Sequence, residues 1–138
     1  IIGVLSFLSF ETSTGFWLMF SFGSTTLIVL LFYNSEFAQP KNIFFGHLIG
    51  IITGIIFNQL FGMSFITLGL SVGTAITLMA LLRVVHPPAA ANPLIALFAD
   101  VSLEYIIFPV VTGTILLIFL STIINRFIFK RKYPSKWF

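Results

Sequence analysis

Charged residues are so sparse along the chain that they divide it into long uncharged runs of mostly apolar residues. These runs cover residues 12–35, 42–82, 84–99 and 105–125, which are 24, 41, 16 and 21 residues long. A membrane-spanning helix needs roughly 20 mainly apolar residues, because the hydrocarbon core is about 30 Å thick and the rise is about 1.5 Å per residue. The runs of 24 and 21 residues each predict one span. The run of 41 predicts two spans joined by a tight turn near residues 58–64.

The run over residues 84–99 is too short for a standard span, and it contains His86-Pro87-Pro88. Together the runs predict an all-α fold, a polytopic transmembrane helical bundle with about five or six membrane elements. The predicted elements are residues 1–10, 15–33, 42–60, 64–83, 86–99 and 105–126. We expect a single transmembrane domain over residues 1–138, in which the last stretch, 127–138, is a basic tail. We expect the first element to be the end of a helix whose start is not covered, and we expect no cleavable signal peptide there because the run lacks a basic region.

The composition excludes the other broad classes of protein. Hydrophobic residues make up 58% of the chain and charged residues 8%, whereas an ordinary soluble domain is about 45–50% apolar and about 25% charged. So few charged residues cannot cover the surface of a small soluble domain, which excludes that class. Intrinsic disorder is also excluded, because it requires low hydrophobicity. The chain has no cysteine, which excludes disulfides, thiolate catalysis and thiolate metal sites.

The basic residues indicate an orientation in the membrane. If every element crosses once, all seven share one face, together with Glu36, while the other three carboxylates lie opposite. The basic residues are Lys41, Arg83, Arg126, Lys130, Arg131, Lys132 and Lys136. The positive-inside rule assigns this face to the cytoplasmic or equivalent side of a bacterial inner membrane or an organellar membrane. The assignment requires that 86–99 crosses, which we favour, rather than dipping in and returning.

Six elements also suggest two sets of three, the second inverted relative to the first. Inverted repeats are common in secondary transporters, where interrupted segments at matching places indicate the binding site. The matching interruptions predicted here are Gly23–Thr26 in the second element and Pro87–Asn92 in the fifth. The similarity between the two halves is otherwise weak.

Pro87 and Pro88 are the sharpest local feature of the sequence. Proline lacks an N–H and disfavours helix at the residue before it, so the preceding helix must stop by about Val85. A new helix is then expected at or just after Pro88, since proline suits a first helical turn. A helix start at membrane depth, with its free N–H groups and positive dipole end, would be an anion site.

The polar residues near these two interruptions are the candidate ligands of a small anion. The candidates are Ser24, Thr25, Thr26, Lys41, Asn42, His47, Arg83, His86 and Asn92. Ionisable groups inside membranes usually line pathways or pair internally. The competing interpretations are that the cations contact lipid headgroups and that the hydroxyls bond to their own helix. Two histidines without nearby carboxylates or thiolates argue against a metal, and we expect no cofactor and no nucleic acid partner.

Glycine and proline positions predict how the helices pack. The expected structural residues are Gly23, Pro40, Gly46, Gly50, Gly54, Pro87, Pro88 and Pro93. Small residues four apart let helix backbones approach closely in lipid. The stripes Gly46–Gly54 and Gly69–Gly73 predict either a dimer face or, as we favour, packing within the chain. A homo-oligomer or a larger membrane complex is nevertheless expected for so small a bundle.

Several of these motifs together resemble the HPP family of small integral membrane proteins. The matching motifs are His86-Pro87-Pro88, Ala38-Gln39-Pro40-Lys41-Asn42, Gly46-His47-Leu48 and Tyr133-Pro134-Ser135-Lys136-Trp137. Lys41 replaces an arginine of the family pattern, and Ala90 stands where the family usually has glycine. Some plastid and cyanobacterial members are implicated in nitrite transport, so the resemblance implies a transporter of small anions.

The leading hypothesis is therefore a membrane transporter or channel for a small monovalent anion, with nitrite suggested by the family. The alternative is a non-transporting membrane subunit or assembly partner of a larger complex. An enzyme is disfavoured, because no nucleophile–base pair or metal cluster is visible in the sequence.

Overall fold

The fold is all-helical, as predicted. The computed structural model describes residues 1–13, 15 and 17–137. Its six α-helices are α1 (Ile2–Phe10), α2 (Ser21–Leu31), α3 (Pro40–Phe61), α4 (Phe65–Leu81), α5 (Asn92–Phe98) and α6 (Thr112–Ile123). Short 3₁₀ turns cover Glu36–Ala38 and Pro87–Ala91. Helical turns at Ile106–Val111 and Ile124–Ile128 flank α6, and the first of them is kinked at Phe108, whose backbone is extended with φ −120° and ψ 118°. No β-strand occurs among the described residues.

Two of the helical segments are long and apolar enough to cross a membrane on their own. They are Pro40–Phe61, with 22 residues, and Ile106–Ile128, with 23. The remaining helices are shorter, so the predicted count of five or six membrane elements stays a prediction. Large apolar side chains point outward, as Phe20, Phe65 and Phe127 show with exposures of 94%, 85% and 76%. Such an outer surface suits lipid rather than water.

Helix α3 lies at the centre of the bundle and has clear sequence signals at both ends. Pro40 occupies its first turn, where the missing N–H costs no helical hydrogen bond. Gly62 ends it with a φ of 65°, a left-handed conformation that glycine adopts without strain. Ser64 then caps α4 by accepting a hydrogen bond from the Thr67 amide at 3.1 Å. The predicted tight turn between the two helices is confirmed at residues 62–64.

The segment over residues 85–100 runs beside α3 and in the same direction. Near the start of α3, the side-chain amide of Asn42 donates to the Val85 carbonyl at 2.9 Å. Near its end, the amide of Asn58 donates to Asp100 Oδ1 at 2.7 Å. The segment therefore passes along most of α3 and does not turn back within the bundle.

The Gly46–Gly54 stripe is the surface of α3 on which this segment packs. A Cβ atom added at Gly46 would lie 2.7 Å from His86 Cβ, and one at Gly50 would lie 2.5 Å from the Ala89 carbonyl oxygen. At Gly54 it would lie 2.6 Å from Pro93 Cα. These separations are too short for any side chain, so the interpretation of the stripe as packing within the chain is confirmed.

The second stripe has no such role. Cβ atoms at Gly69 and Gly73 would meet nothing within 4 Å among the described residues. The homo-oligomer stays a prediction.

The second predicted element differs from the structure in its start and in its interruption. Helix α2 begins at Ser21 rather than at residue 15, and residues 17–20 approach it in an irregular conformation. The predicted break at Gly23–Thr26 is wrong, because these residues lie inside regular helix. The hydroxyls of Ser24 and Thr25 both bond to the Ser21 carbonyl at 3.0 Å. Hydroxyls that bond to the preceding turn are compatible with an unbroken helix. The interruption predicted at Pro87–Asn92 in the fifth element, by contrast, is present as the 3₁₀ turn Pro87–Ala91 before α5.

The basic tail folds back onto the bundle instead of lying free at the membrane surface. Arg131 Nη1 donates to the Leu30 carbonyl at 2.7 Å, and the Tyr133 hydroxyl donates to the Ala38 carbonyl at 2.7 Å. The Ser135 amide donates to Gln39 Oε1 at 2.9 Å. Tyr133 is fully buried. The tail therefore belongs to the folded structure and closes the end of the bundle at which α3 begins.

Candidate functional site

Five polar side chains meet inside the bundle where α2, α3 and the segment 86–92 come together. We call them the polar cluster: Ser21, Thr25, His47, His86 and Asn92. Ser21 is 4% exposed and the other four are fully buried. Buried polar groups are tolerated in a low-dielectric interior only when their hydrogen bonds are made. The partners of each member therefore define its protonation state.

His86 is held by the backbone of the 3₁₀ turn at Glu36–Ala38. Its Nδ1 lies 2.7 Å from the Phe37 carbonyl oxygen. A carbonyl can only accept, so Nδ1 carries the ring proton and Nε2 of the neutral ring is an acceptor. Nε2 lies 2.9 Å from Thr25 Oγ1. His86 is thus placed to accept a hydrogen bond from the Thr25 hydroxyl.

His47 takes the opposite tautomer, and Asn92 sets it. Ser21 Oγ donates to Asn92 Oδ1 at 2.9 Å, which fixes the orientation of the amide. Asn92 Nδ2 then faces both His47 Nδ1 and the His47 carbonyl, each at 3.0 Å. Because Nδ2 donates, His47 Nδ1 accepts, and the ring proton resides on Nε2. That N–H donates to Thr25 Oγ1 at 3.0 Å.

Thr25 is the junction between the two histidines. Its oxygen accepts from His47, while its single proton has two available acceptors, His86 Nε2 at 2.9 Å and the Ser21 carbonyl at 3.0 Å. With the proton on the His86 side, the hydrogen bonds run in one direction from Ser21 through Asn92, His47, Thr25 and His86 to Phe37. Such chains strengthen each bond in a low-dielectric interior.

Local sequence explains how the two rings come so close. Pro87 forces an extended conformation on His86, which has φ −135° and ψ 100°. Gly46, one residue before His47, leaves room for the Cβ atom of His86, which would lie only 2.7 Å from a Cβ added at Gly46. The ring centroids of His47 and His86 are 5.0 Å apart, and Phe22 packs edge-on against His47 at 5.2 Å.

A positively charged cavity adjoins the polar cluster at the end of the bundle where α3 begins. We call it the basic vestibule. Its volume is about 230 Å³, and it is lined by Glu36, Gln39, Lys41, Asn42, Arg83 and Lys136. Three of these residues are cations and one is a carboxylate. The Lys136 ammonium lies 3.9 Å from Glu36 Oε1, and both side chains are largely exposed.

Two backbone links connect the basic vestibule to His86. Asn42, in the vestibule wall, donates to the carbonyl of Val85, the residue before His86. Phe37, whose carbonyl binds the His86 ring, lies between Glu36 and Gln39 of the wall. The vestibule wall and the His86 ring are therefore connected through the backbone at Phe37 and Val85.

Comparison with known proteins assigns the chain to a family. The HPP transmembrane-region model matches residues 1–134. The chain belongs to the HPP transmembrane family. It is 29% identical over 128 residues to a transmembrane protein of Dictyostelium discoideum, covering 87% of this chain and 41% of that one. A second transmembrane protein of that organism is 26% identical over 125 residues, covering 85% and 44%.

The chain therefore spans less than half the length of these relatives. No solved structure matches it.

The HPP motif contributes His86 to the polar cluster, but it does not form the predicted anion site at a helix start. Pro87 and Pro88 have no N–H, and the Ala89 amide donates to the His86 carbonyl at 2.9 Å. These first positions therefore offer no free donors to an anion. The motif instead orients the His86 ring and packs its following turn on α3.

The structure brings together some predicted site residues and separates others. Thr25, His47, His86 and Asn92 meet in the polar cluster, and Lys41, Asn42 and Arg83 line the basic vestibule. Ser24 is exposed and bonds within α2. The Thr26 hydroxyl is buried and has no hydrogen-bond partner among the described residues. Neither of these two belongs to the polar cluster.

The predicted structural residues all lie in helical turns. Pro40 begins α3, Pro93 is the second residue of α5, and Pro87 and Pro88 begin the 3₁₀ turn before α5. Gly23 lies in α2, where an added Cβ atom would meet nothing within 4 Å among the described residues. Packing within the chain therefore does not require a glycine at this position.

The sequence-based candidates did not include Ser21, the Phe37 carbonyl or three residues of the vestibule wall, Glu36, Gln39 and Lys136. Ser21 precedes Thr25 by one helical turn, so the i to i+4 spacing could have indicated it. The Phe37 carbonyl and Lys136 have no such signal. Both reach the site through tertiary folding, one from a 3₁₀ turn and the other from the returning tail.

Proposed function

We propose that this HPP family member transports a small monovalent anion across its membrane, with nitrite as the first candidate. The observation that carries the proposal is the basic vestibule beside a buried, neutral polar cluster. Lys41, Arg83 and Lys136 raise the local concentration of anions, since a cavity lined by one sign of charge focuses the field. Glu36, which lies 3.9 Å from Lys136, offsets one of these three charges and leaves the lining positive.

The polar cluster suits the onward path of an anion. It contains no carboxylate, and intramembrane polar groups of this kind usually mark a pathway. In the described state its donors bond to one another, so transport requires α2 to move away from the segment 86–92. That movement would free the Thr25 hydroxyl, the His47 Nε2–H and the Asn92 amide to replace the hydration shell of the anion.

We also propose an orientation and a location for the protein. The basic end, with Lys41, Arg83 and the tail, would face the cytoplasmic or equivalent side by the positive-inside rule. The membrane would be a bacterial inner membrane or an organellar membrane. The segment 86–99 would cross it beside α3, a path supported by its contacts at Asn42 and Asn58.

Nitrite uptake into proteoliposomes containing the purified full chain tests the proposal. We expect saturable uptake above that of empty liposomes. Lys41→Gln and Arg83→Gln should each lower uptake at low nitrite severalfold, because each removes a positive charge from the vestibule. Lys132→Gln is the matched control, since Lys132 is exposed and lies outside the vestibule. Uptake equal to that of empty liposomes would reject anion transport.

A second candidate is a non-transporting subunit of a larger membrane complex. The observation that favours it is the complete burial of the polar cluster, whose internal hydrogen bonds resemble those of a static core. This role predicts that the chain copurifies from native membranes with a larger assembly. It also predicts that His86→Gln lowers thermal stability while no nitrite flux is measurable for either form.

A further inference from the structure

We propose that the polar cluster is a proton-binding site and that His86 Nε2 takes up a proton together with the transported anion. The inference rests on the proposed anion transport and names its coupling ion. It follows from the position of His86 Nε2, which is the one atom in the described hydrogen-bond chain that can accept a proton without movement of a heavy atom.

The two neutral rings leave two nitrogen atoms that lack a proton, His47 Nδ1 and His86 Nε2. His47 Nδ1 faces an N–H of Asn92, whose other N–H bonds to the His47 carbonyl and whose oxygen bonds to Ser21. Protonation there would set two donors against each other, because the amide cannot reverse without breaking its other bonds. His86 Nε2 faces a hydroxyl instead.

The Thr25 hydroxyl can reverse its role by rotating. In the neutral state its proton points to His86 Nε2. When Nε2 gains a proton, the hydroxyl proton turns to the Ser21 carbonyl, which already lies 3.0 Å from Thr25 Oγ1. Oγ1 then accepts from both histidines, as its two lone pairs allow. One proton is added, and every donor still has an acceptor.

The charge on the new imidazolium links proton binding to the anion. An uncompensated charge in a buried site is costly. Among the described residues, His47 is the titratable side chain in ring contact with His86. The charged groups of the adjoining vestibule are Glu36, Lys41, Arg83 and Lys136. Three of these four are cations, so a further positive charge is disfavoured until an anion enters the vestibule.

Proton and anion therefore bind cooperatively, each raising the affinity for the other by the same factor. Because the site then holds both the proton and the anion or neither of them, the two cross the membrane together. The expected mode is symport of one proton with one monovalent anion.

Nitrogen NMR of protein labelled with ¹⁵N-histidine tests proton binding without measuring transport. The chain has two histidines, and their opposite tautomers assign the two rings. Without ligand we expect one neutral ring with its proton on Nδ1, His86, and one with its proton on Nε2, His47. Added nitrite should raise the pH at which the first ring becomes an imidazolium. Charging of the second ring, or no shift with nitrite, would overturn the proposal.

Nitrite flux with and without a proton gradient tests the coupling. We expect an acidic outside to accelerate uptake by wild-type protein severalfold beyond its effect on empty liposomes, and the lumen to acidify as nitrite enters. Thr25→Val should remove this dependence on the gradient, and Thr25→Ser should restore it. The matched control is Thr114→Val, because Thr114 is equally buried but bonds only to the backbone of its own helical segment.

The outcomes separate the two proposals. Wild-type uptake that ignores the gradient and moves no protons overturns the coupling but leaves anion transport intact. Absence of uptake under both conditions overturns anion transport itself. Thermal unfolding of each variant distinguishes loss of coupling from loss of fold, and Thr25→Ser keeps the test informative if Thr25→Val is poorly folded.

Discussion

At the scale of single residues, two neighbouring threonines provide an internal comparison. The Thr25 hydroxyl lies within hydrogen-bond distance of His47, His86 and the Ser21 carbonyl. The buried hydroxyl of Thr26, one position later, has no partner in the described part of the chain. The same substitution at both sites therefore separates the contribution of the network from the general effect of removing a hydroxyl.

We expect Thr25→Val to lower the free energy of unfolding by about 1–3 kcal/mol, because both buried histidines lose a partner. Thr26→Val should change it by less than about 0.5 kcal/mol, since no described hydrogen bond is lost and one buried unpaired group is removed. Unfolding of the purified variants in mixed micelles, with denaturing detergent, measures both. Equal losses at the two sites would contradict the assigned network.

The residue scale also shows how far the sequence predicts the site. The sequence indicates His47, His86 and Asn92 as site residues, because ionisable and amide groups are rare in membrane segments. His86 is further indicated by the proline pair that follows it. The tautomers of the two histidines cannot be predicted from the sequence, since they depend on the hydrogen bonds of Ser21 and of the Phe37 carbonyl. Sequence identifies which groups carry the chemistry, whereas the direction of each hydrogen bond needs the assembled fold.

At the scale of elements, the packing of residues 86–96 on α3 explains the spacing of the α3 glycines. Each glycine of the Gly46–Gly54 stripe admits backbone or a Cβ atom of the neighbouring segment. Identical spacing at Gly69 and Gly73 in α4 faces open space in the described structure. The periodicity alone could not distinguish these cases, because both stripes have the same pattern.

Alanine substitutions in the two helices should therefore have opposite effects. We expect Gly50→Ala to destabilise the fold by about 1–3 kcal/mol through overpacking against the Ala89 carbonyl. Gly69→Ala should leave stability unchanged or raise it by up to about 1 kcal/mol, because alanine is the better helix former. Thermal unfolding in detergent measures both variants, and a stable Gly50→Ala protein would be inconsistent with the described contact.

The start of α2 is a helix boundary that the sequence analysis predicted wrongly. The uncharged run favours helix from residue 15, but Gly15 has a φ of 119° and the Trp17 amide donates to Ser9 Oγ at 2.9 Å. Trp17 also packs edge-on against Phe108 at 5.4 Å. These tertiary contacts outweigh helix propensity over residues 17–20, and the hydropathy pattern does not predict them.

The returning tail is a further element with a testable consequence. Burial raises the pKa of the Tyr133 phenol, so the folded state favours its neutral form. The stability from this group is complete below the ordinary tyrosine pKa of about 10 and declines as pH rises above it, since the unfolded chain ionises first.

Tyr133→Phe should weaken the alkaline loss of stability, although it also removes the hydrogen bond to the Ala38 carbonyl. The expected loss at neutral pH is about 1 kcal/mol. Unfolding of both proteins between neutral and strongly alkaline pH provides the measurement. The interpretation fails if the two pH profiles are parallel.

At the scale of the whole molecule, the uneven distribution of charge is the main property. Lys41, Arg83 and Lys136 come from α3, the end of α4 and the tail, yet they line one cavity. The sequence predicted their common face through alternating crossings, but not their convergence on a single vestibule. That convergence depends on the tail, whose return has no signature in hydropathy.

Ionic strength should therefore affect transport at low substrate concentration. We expect nitrite uptake to fall severalfold between about 0.01 M and 1 M of an impermeant salt, because the screening length shrinks from about 30 Å to about 3 Å. Arg83→Gln should show a weaker dependence than wild type. Uptake that is insensitive to salt in both proteins would exclude electrostatic attraction by the vestibule.

The tail also determines when the vestibule can form during biosynthesis. Glu36 and Lys136 are the first and last residues of its wall in sequence, and helices α3 to α6 lie between them. The helices leave the insertion machinery in order, so the basic end remains open until residues 131–136 emerge from the ribosome. In a nascent chain that stalls after α6, the Leu30 and Ala38 carbonyls and Gln39 Oε1 would lack the hydrogen bonds that the tail donates to them. Such a chain would expose these acceptors to membrane quality control. Closure of this end therefore has to follow the placement of α3 to α6, because it depends on residues 131–136 reaching the bundle.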